Sequence, residues 1–251
     1  MTDEHHDAGS FSGARFVGTD FSGASLRDCN LRGFKVVDSW LVDVNVSGEV
    51  SNFVVNDVDV TAFVEAELDR RHPERVQLRA MQTADEYRAM WDTIERLWST
   101  AVDRARLLPP PALDERVDEE WSFIETMRHL IFATDAWASR TVLDQPMPYH
   151  RLGYPVSAFP PADAAAIGLD LEARPTFDEV MEVRTDRMLL VRRIVDDLTA
   201  ADLERLCTRS PGPGYPEEPR SVGRCLRVVM NEESWHHHYA TRDLAVLEAR
   251  S

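Results

Sequence analysis

The segment 231–244, NEESWHHHYATRDL, carries the densest chemistry in the chain. On a helix, residues four apart share a face with Cβ atoms about 5–6 Å apart. Glu232 and His236 form such a pair, and so do Glu233 and His237. A carboxylate and an imidazole at that spacing can chelate one divalent cation, as zinc-binding helices do with paired ligands. Leu226, Val229, Ala240, Leu244 and Leu247 define an apolar stripe that includes His236, leaves His237 at its edge and turns His238 toward solvent. A buried imidazole left without a partner costs about 1–3 kcal/mol. A Tyr or Asp inside the fold would serve as that partner as well as a metal would.

A third ligand must come from another helix, and His129 is the candidate, because no other histidine falls within a different predicted bundle helix. Phe132, Ala133 and Ala136 give its helix a second apolar side opposite Phe123, Met127, Leu130 and Thr134, so burial of His129 is permitted but not demanded. His150 falls in a long loop, His72 in a polar linker, and His5 and His6 in the N-terminal tail.

The elements that must position these residues are helical from about residue 63 onward. Thr83-Ala84-Asp85-Glu86 is a capping box, followed to about Leu108 by Tyr87, Met90, Trp91, Ile94, Leu97, Trp98 and Val102 at three-four spacing. Pro109-Pro110-Pro111 ends that helix. A second helix is predicted over roughly Glu119–Leu143, a third after the Thr176–Glu179 cap to about Leu198, a short one from Thr199 and a last long one over roughly Ser221–Ala249. The stretch Asp144–Pro175 is too long for a simple connector and reads as a functional or packing loop. Four long amphipathic helices with one long crossover predict a four-helix bundle.

The first 60 residues follow a different rule. Phe11, Phe16, Phe21, Leu26, Leu31, Val36, Leu41 and Val46 recur at every fifth position, with Ala14, Thr19, Ala24 and Cys29 among the residues two places before them. A period of five matches neither helix nor strand, but it suits a solenoid in which four five-residue faces make one square coil. The phase slips near Gly48, where Val50, Val55 and Val60 continue on a shifted frame. Two to three coils make a structural cap or docking module rather than an independent binding domain.

Composition bounds the rest. The chain has 251 residues, 43% apolar and 29% charged, and its 28 basic against 44 acidic residues give a net charge of −16. Such a body repels phosphate backbones and anionic lipid surfaces, so neither nucleic acid nor membrane is an expected partner. No apolar run approaches the roughly 20 residues of a membrane span, the N-terminus is acidic and polar, and the three cysteines share no metal-type spacing. A cytoplasmic protein with free thiols is expected.

The two segments WSFIETMRHLIFATDAW and NEESWHHHYATRDL resemble the DinB/YfiT-like superfamily, and the five-residue series resembles the pentapeptide repeats. The resemblance implies a mostly α protein, with a short right-handed β-helix of pentapeptide repeats over residues 1–62 and a DinB-like four-helix bundle over 63–251. It further implies a divalent metal, zinc foremost with nickel or iron as alternatives, held by His129 on the second helix and Glu232 and His236 on the fourth. The superfamily usually has His where this chain has Glu232, although the related mycothiol-dependent maleylpyruvate isomerases use Glu there. A His-Glu-His set leaves coordination positions open, as a catalytic rather than structural zinc requires.

Such a site lowers the pKa of a bound thiol or water. The resemblance therefore implies a metal-dependent S-transferase that joins a low-molecular-weight thiol, mycothiol or a similar one, to an electrophilic small molecule held beneath the Asp144–Pro175 loop. Glu233 and His237 are the candidates to orient a ligand or shuttle a proton, and Trp121, Trp137 and Tyr239 the candidates to line the pocket. The alternatives are a metal-dependent hydrolase and a non-catalytic interaction protein whose metal is structural. Bundles of this kind often dimerise, but no stripe in this sequence is left over for that purpose. The pentapeptide–bundle fusion and the near-absence of Lys, with Lys35 alone, fit an actinobacterial origin.

Overall fold

Two compact units divide the chain, Met1–Val50 and Ser51–Ser251. The computed structural model describes residues 10–27, 29–156 and 159–250, so His5 and His6 lie outside the described residues.

In the first unit a hydrogen-bonded corner recurs every ten residues, once for every two of the five-residue faces. Ala14, Ala24 and Phe34 donate their N–H groups to the carbonyls of Phe11, Phe21 and Leu31 at 2.9–3.0 Å. The third residue of each turn is a glycine with φ near +75°, which is the type II geometry that a side chain resists. Successive apolar residues meet at the axis, with the Phe11–Phe16 ring centroids 6.3 Å apart and Phe16–Phe21 5.4 Å apart. No described residue of this unit is buried.

The second unit opens on a short hairpin. Val54–Val55 (β1) and Val58–Asp59 (β2) form an antiparallel hairpin that turns at Asn56 and Asp57, both with positive φ. Phe53 fastens it to the helix that follows by donating its N–H to Thr61 Oγ1 at 2.8 Å. Two short helices then appear where a polar linker was expected, α1 over Thr61–Arg71 and α2 over Glu74–Ala80, with His72 between them.

The bundle consists of α3 (Ala84–Ala105), α4 (Phe123–Thr134), α6 (Phe177–Asp196) and α8 (Val222–Arg250). The crossover between α4 and α6 holds the short helix α5 (Pro161–Ala166), and α7 (Ala200–Glu204) follows α6. Helices α3 and α4 each pack on both α6 and α8. Trp91, Met90, Ile94, Met127, Leu130, Ile131, Leu226, Met230 and Leu244 fill the centre at 0–1% exposure. Capping boxes start α3 at Thr83/Glu86, α4 at Ser122/Glu125, α6 at Thr176/Glu179 and α7 at Thr199/Asp202. The strands Leu206–Cys207 (β3) and Arg220–Ser221 (β4) pair antiparallel ahead of α8.

The second bundle helix differs from expectation at both ends. It begins at Phe123 rather than Glu119, because Asp118 and Glu119 take left-handed backbone and Ser122 supplies the cap. Beyond Thr134 it widens into a π-helix over Asp135–Val142, a form met at functional sites more often than chance allows. Every residue of α4 except Glu125 is buried, since the bundle covers one side and the crossover the other. Under that crossover Phe132, Phe159, Ala164, Ile167 and Leu169 form a second apolar cluster. Among the described residues no helix is long and apolar enough to cross a membrane.

Candidate metal centre

Helices α4 and α8 bring His129, Glu232 and His236 together. One ligand-capable atom from each lies within 4.8 Å of the other two. His129 Nε2 is 3.3 Å and His236 Nε2 3.2 Å from the same carboxylate oxygen, Glu232 Oε2. His129 is 3% exposed. The i,i+4 spacing in α8 supplies the Glu–His pair, and the full burial of α4 turns His129 inward to meet it.

The protonation of His129 follows from its second contact. Nδ1 lies 2.9 Å from the carbonyl oxygen of Tyr154, which can only accept, so Nδ1 carries the proton. In the neutral ring Nε2 then turns a lone pair toward Glu232. A lone pair facing a carboxylate is unfavourable unless a cation lies between them, and two imidazole nitrogens with one carboxylate are a fitting donor set for a divalent metal. Burial opposes ionisation of Glu232, but the two imidazoles beside it outweigh that and hold the carboxyl well below its ordinary range. Burial also lowers His236, which favours the neutral form that a metal requires.

Aromatic rings surround the three residues. Trp121 lies nearly parallel to His236, with centroids 5.7 Å apart and planes 14° apart, and is 4.7 Å from His129 and 5.8 Å from Tyr154. Tyr239 meets His236 edge-on at 6.2 Å. Tyr215, which sequence reasoning missed, is raised by its burial and by the Glu232 carboxylate nearby, and it packs on Trp137. Gly153 lets the crossover approach α4, since a Cβ there would stand 3.3 Å from Phe132 Cβ and 3.0 Å from Leu169 Cδ2.

The other candidates fall elsewhere. Glu233, one residue from a ligand, turns about 100° away from it around α8 and pairs with Arg184 of α6, both about 1% exposed. Burial pushes its carboxyl up to about 7 against the pull of that guanidinium. His237 faces α3, where its ring meets Trp98 at 5.3 Å and burial lowers it to about 4. The second acid–imidazole pair, Glu233 and His237, is therefore not brought to His129. His238 does not reach open solvent as expected, because α1 and α2 cover that side of α8 and His72 packs against it at 4.3 Å. His150 stays in the crossover, where its backbone N–H donates to Asp135 Oδ2 at 2.8 Å. Cys29, Cys207 and Cys225 are all free.

Sequence reasoning also missed Arg128 and Tyr154. Tyr154 contributes to His129 through its backbone, which leaves no residue-type signal. Arg128 was legible in principle, as a lone cation inside an otherwise apolar helix.

Two families match the chain. The family described as "Pentapeptide repeats (8 copies)" matches residues 9–34, and the DinB superfamily, whose members are often metal-binding, matches residues 93–240. No curated protein and no solved structure matches. The second of these matches spans more than half of the sequence and includes His129, Glu232 and His236, and by it the chain belongs to the DinB superfamily.

Proposed function

We propose that this chain is a divalent-metal-dependent thiol S-transferase that joins a low-molecular-weight thiol, mycothiol or a similar one, to an electrophilic small molecule. His129, Glu232 and His236 would hold the metal, with zinc favoured over nickel or iron. The commitment of His129 Nδ1 to the Tyr154 carbonyl, which turns Nε2 toward Glu232, carries this reading. A bound metal of this kind lowers the pKa of a coordinated thiol or water near neutral pH.

The remaining roles belong to the protein's own groups. Burial raises both cysteines of the bundle, Cys225 to about 12, which fits a reacting sulfur carried by a small molecule. Trp121, Tyr154 and Tyr239 exclude water around the ligands and offer flat faces to an incoming molecule. Glu233 orients α8 through Arg184 rather than passing protons, and His237 supports the ligand helix from the α3 side.

Metal analysis of the purified protein, with thiol-dependent consumption of an electrophile such as monochlorobimane, tests the proposal. About one metal per chain is expected, lost in His129→Ala and His236→Ala together with turnover. Turnover that persists without thiol would favour the hydrolase alternative. Full metal occupancy in both variants would overturn the ligand set.

A further inference from the structure

Arg128 is 2% exposed and makes no ion pair among the described residues. Its guanidinium is instead spent on three backbone carbonyls of the crossover. Nε donates to Leu152 O at 2.9 Å, Nη1 to Ala173 O at 2.8 Å and Nη2 to Asp170 O at 2.6 Å. The carbonyl of Arg128 itself accepts the N–H of Tyr154 at 3.1 Å, and its guanidinium carbon lies 4.9 Å from the centre of the Tyr154 ring. One side chain thus gathers two separate stretches of the crossover, 152–154 and 170–173, onto α4.

A buried cation without a counter-ion is a costly way to hold a loop, and apolar packing would serve if cohesion were all that was needed. What apolar packing cannot do is set the direction of a carbonyl. The rigid fork of Arg fixes Leu152 O, two residues before Tyr154. Tyr154 then presents its own carbonyl to His129 Nδ1, on the residue next to Arg128 in the chain.

We propose that Arg128 is a positioning residue for the metal centre: by clamping the crossover it aims the Tyr154 carbonyl at His129 and keeps the Nδ1-protonated tautomer, with Nε2 facing Glu232 and His236. The inference rests on the metal-site reading above. A metal-ligating histidine is tuned through the hydrogen bond of its other nitrogen, and loss of such a partner typically lowers metal affinity about 10–100-fold.

The test uses the full chain in the variants R128K, R128Q and R128M, with V195A as a control that loosens the bundle core away from the site. Zinc and cobalt(II) affinities are measured by competition. The Co(II) absorption spectrum is recorded, and the His129 tautomer is read from long-range ¹H–¹⁵N correlations of the metal-free protein. The expected result is a loss of about ten-fold or more in affinity, with mixed tautomers and an altered Co(II) spectrum, in each Arg128 variant that folds but not in V195A. Lysine, a single point donor, should restore only part of the loss, and if methionine prevents folding, the lysine and glutamine variants decide. Affinity within two-fold of the parent, or an affinity loss that leaves the tautomer signal unchanged, would overturn the proposal. His129→Ala separates the two layers: if that variant keeps its metal, the metal-site reading itself fails.

Discussion

Arg184 of α6 and Glu233 of α8 meet as an ion pair at the centre of the bundle, each about 1% exposed, with the Arg184 guanidinium carbon 5.8 Å from the centre of the Trp98 ring on α3. Among the described residues, Arg184 Nε and Nη1 and Glu233 Oε1 have no hydrogen-bond partner. Both charges have left water for a single strong contact. Removing one of them, as in Glu233→Ala, strands the other and should cost about 3–5 kcal/mol. Replacing both with apolar residues, as in R184M/E233L, should recover most of that loss or exceed the parent. Chemical denaturation of the two variants checks the prediction, and a double variant no more stable than the worse single one would contradict it.

At position 232 the substitution matters more than the volume change. Glu232→His, which restores the residue more usual in the superfamily, should keep a metal bound between His129 and His236. Glu232→Ala leaves two ligands and should weaken binding by 100-fold or so. Competition against a chromophoric chelator separates the two outcomes.

Below about pH 4.5 acid should act through the helix starts. Hydrogen bonds from the Gln82 and Thr83 backbone lower Glu86, those from Thr176 lower Glu179, and those from Thr199 lower Asp202. Glu125 is lowered by Arg116 and the Ser122 cap against the opposing effect of burial. Each carboxyl is more acidic folded than unfolded, so its contribution is full above about pH 4.5 and is lost as pH falls through the folded value. Denaturation midpoints should therefore drop steadily below about pH 4.5. Gln at position 125 or 179 keeps the cap geometry without the titration and should flatten that slope.

Thiol labelling under native conditions should find one reactive cysteine. Cys29 is exposed, whereas burial holds Cys207 and Cys225 in their protonated forms. Intact-mass analysis after brief treatment with iodoacetamide near pH 8 should show a single adduct, rising to three after unfolding. Rapid triple labelling of the native protein would mean that the bundle opens around α8.

Much of this arrangement can be read from residue order. Three-four spacing locates α3, α6 and α8, the Thr-x-x-Glu boxes mark two of their starts, and the i,i+4 rule pairs Glu232 with His236. The period of five marks the coiled unit because no ordinary element shares it. The parts that stayed hidden depend on contacts between distant segments. Burial of His129 requires the crossover on the far side of α4, and the half-burial of His238 requires α1 and α2, whose weak amphipathic pattern resembles a linker. The π-helix after Thr134 has no compositional mark, and the Ser122–Glu125 box was overlooked because the acidic run before it looks like a helix start.

The ring of His129 is steadied by a loop, whereas Glu232 and His236 ride on the rigid body of α8. Insertions and deletions accumulate in surface loops far more readily than in packed helices. A change of one residue near Tyr154 would re-aim an imidazole while leaving the helices that carry the three residues in place. The affinity of the proposed metal site would therefore be set partly by the crossover and not by α4 and α8 alone.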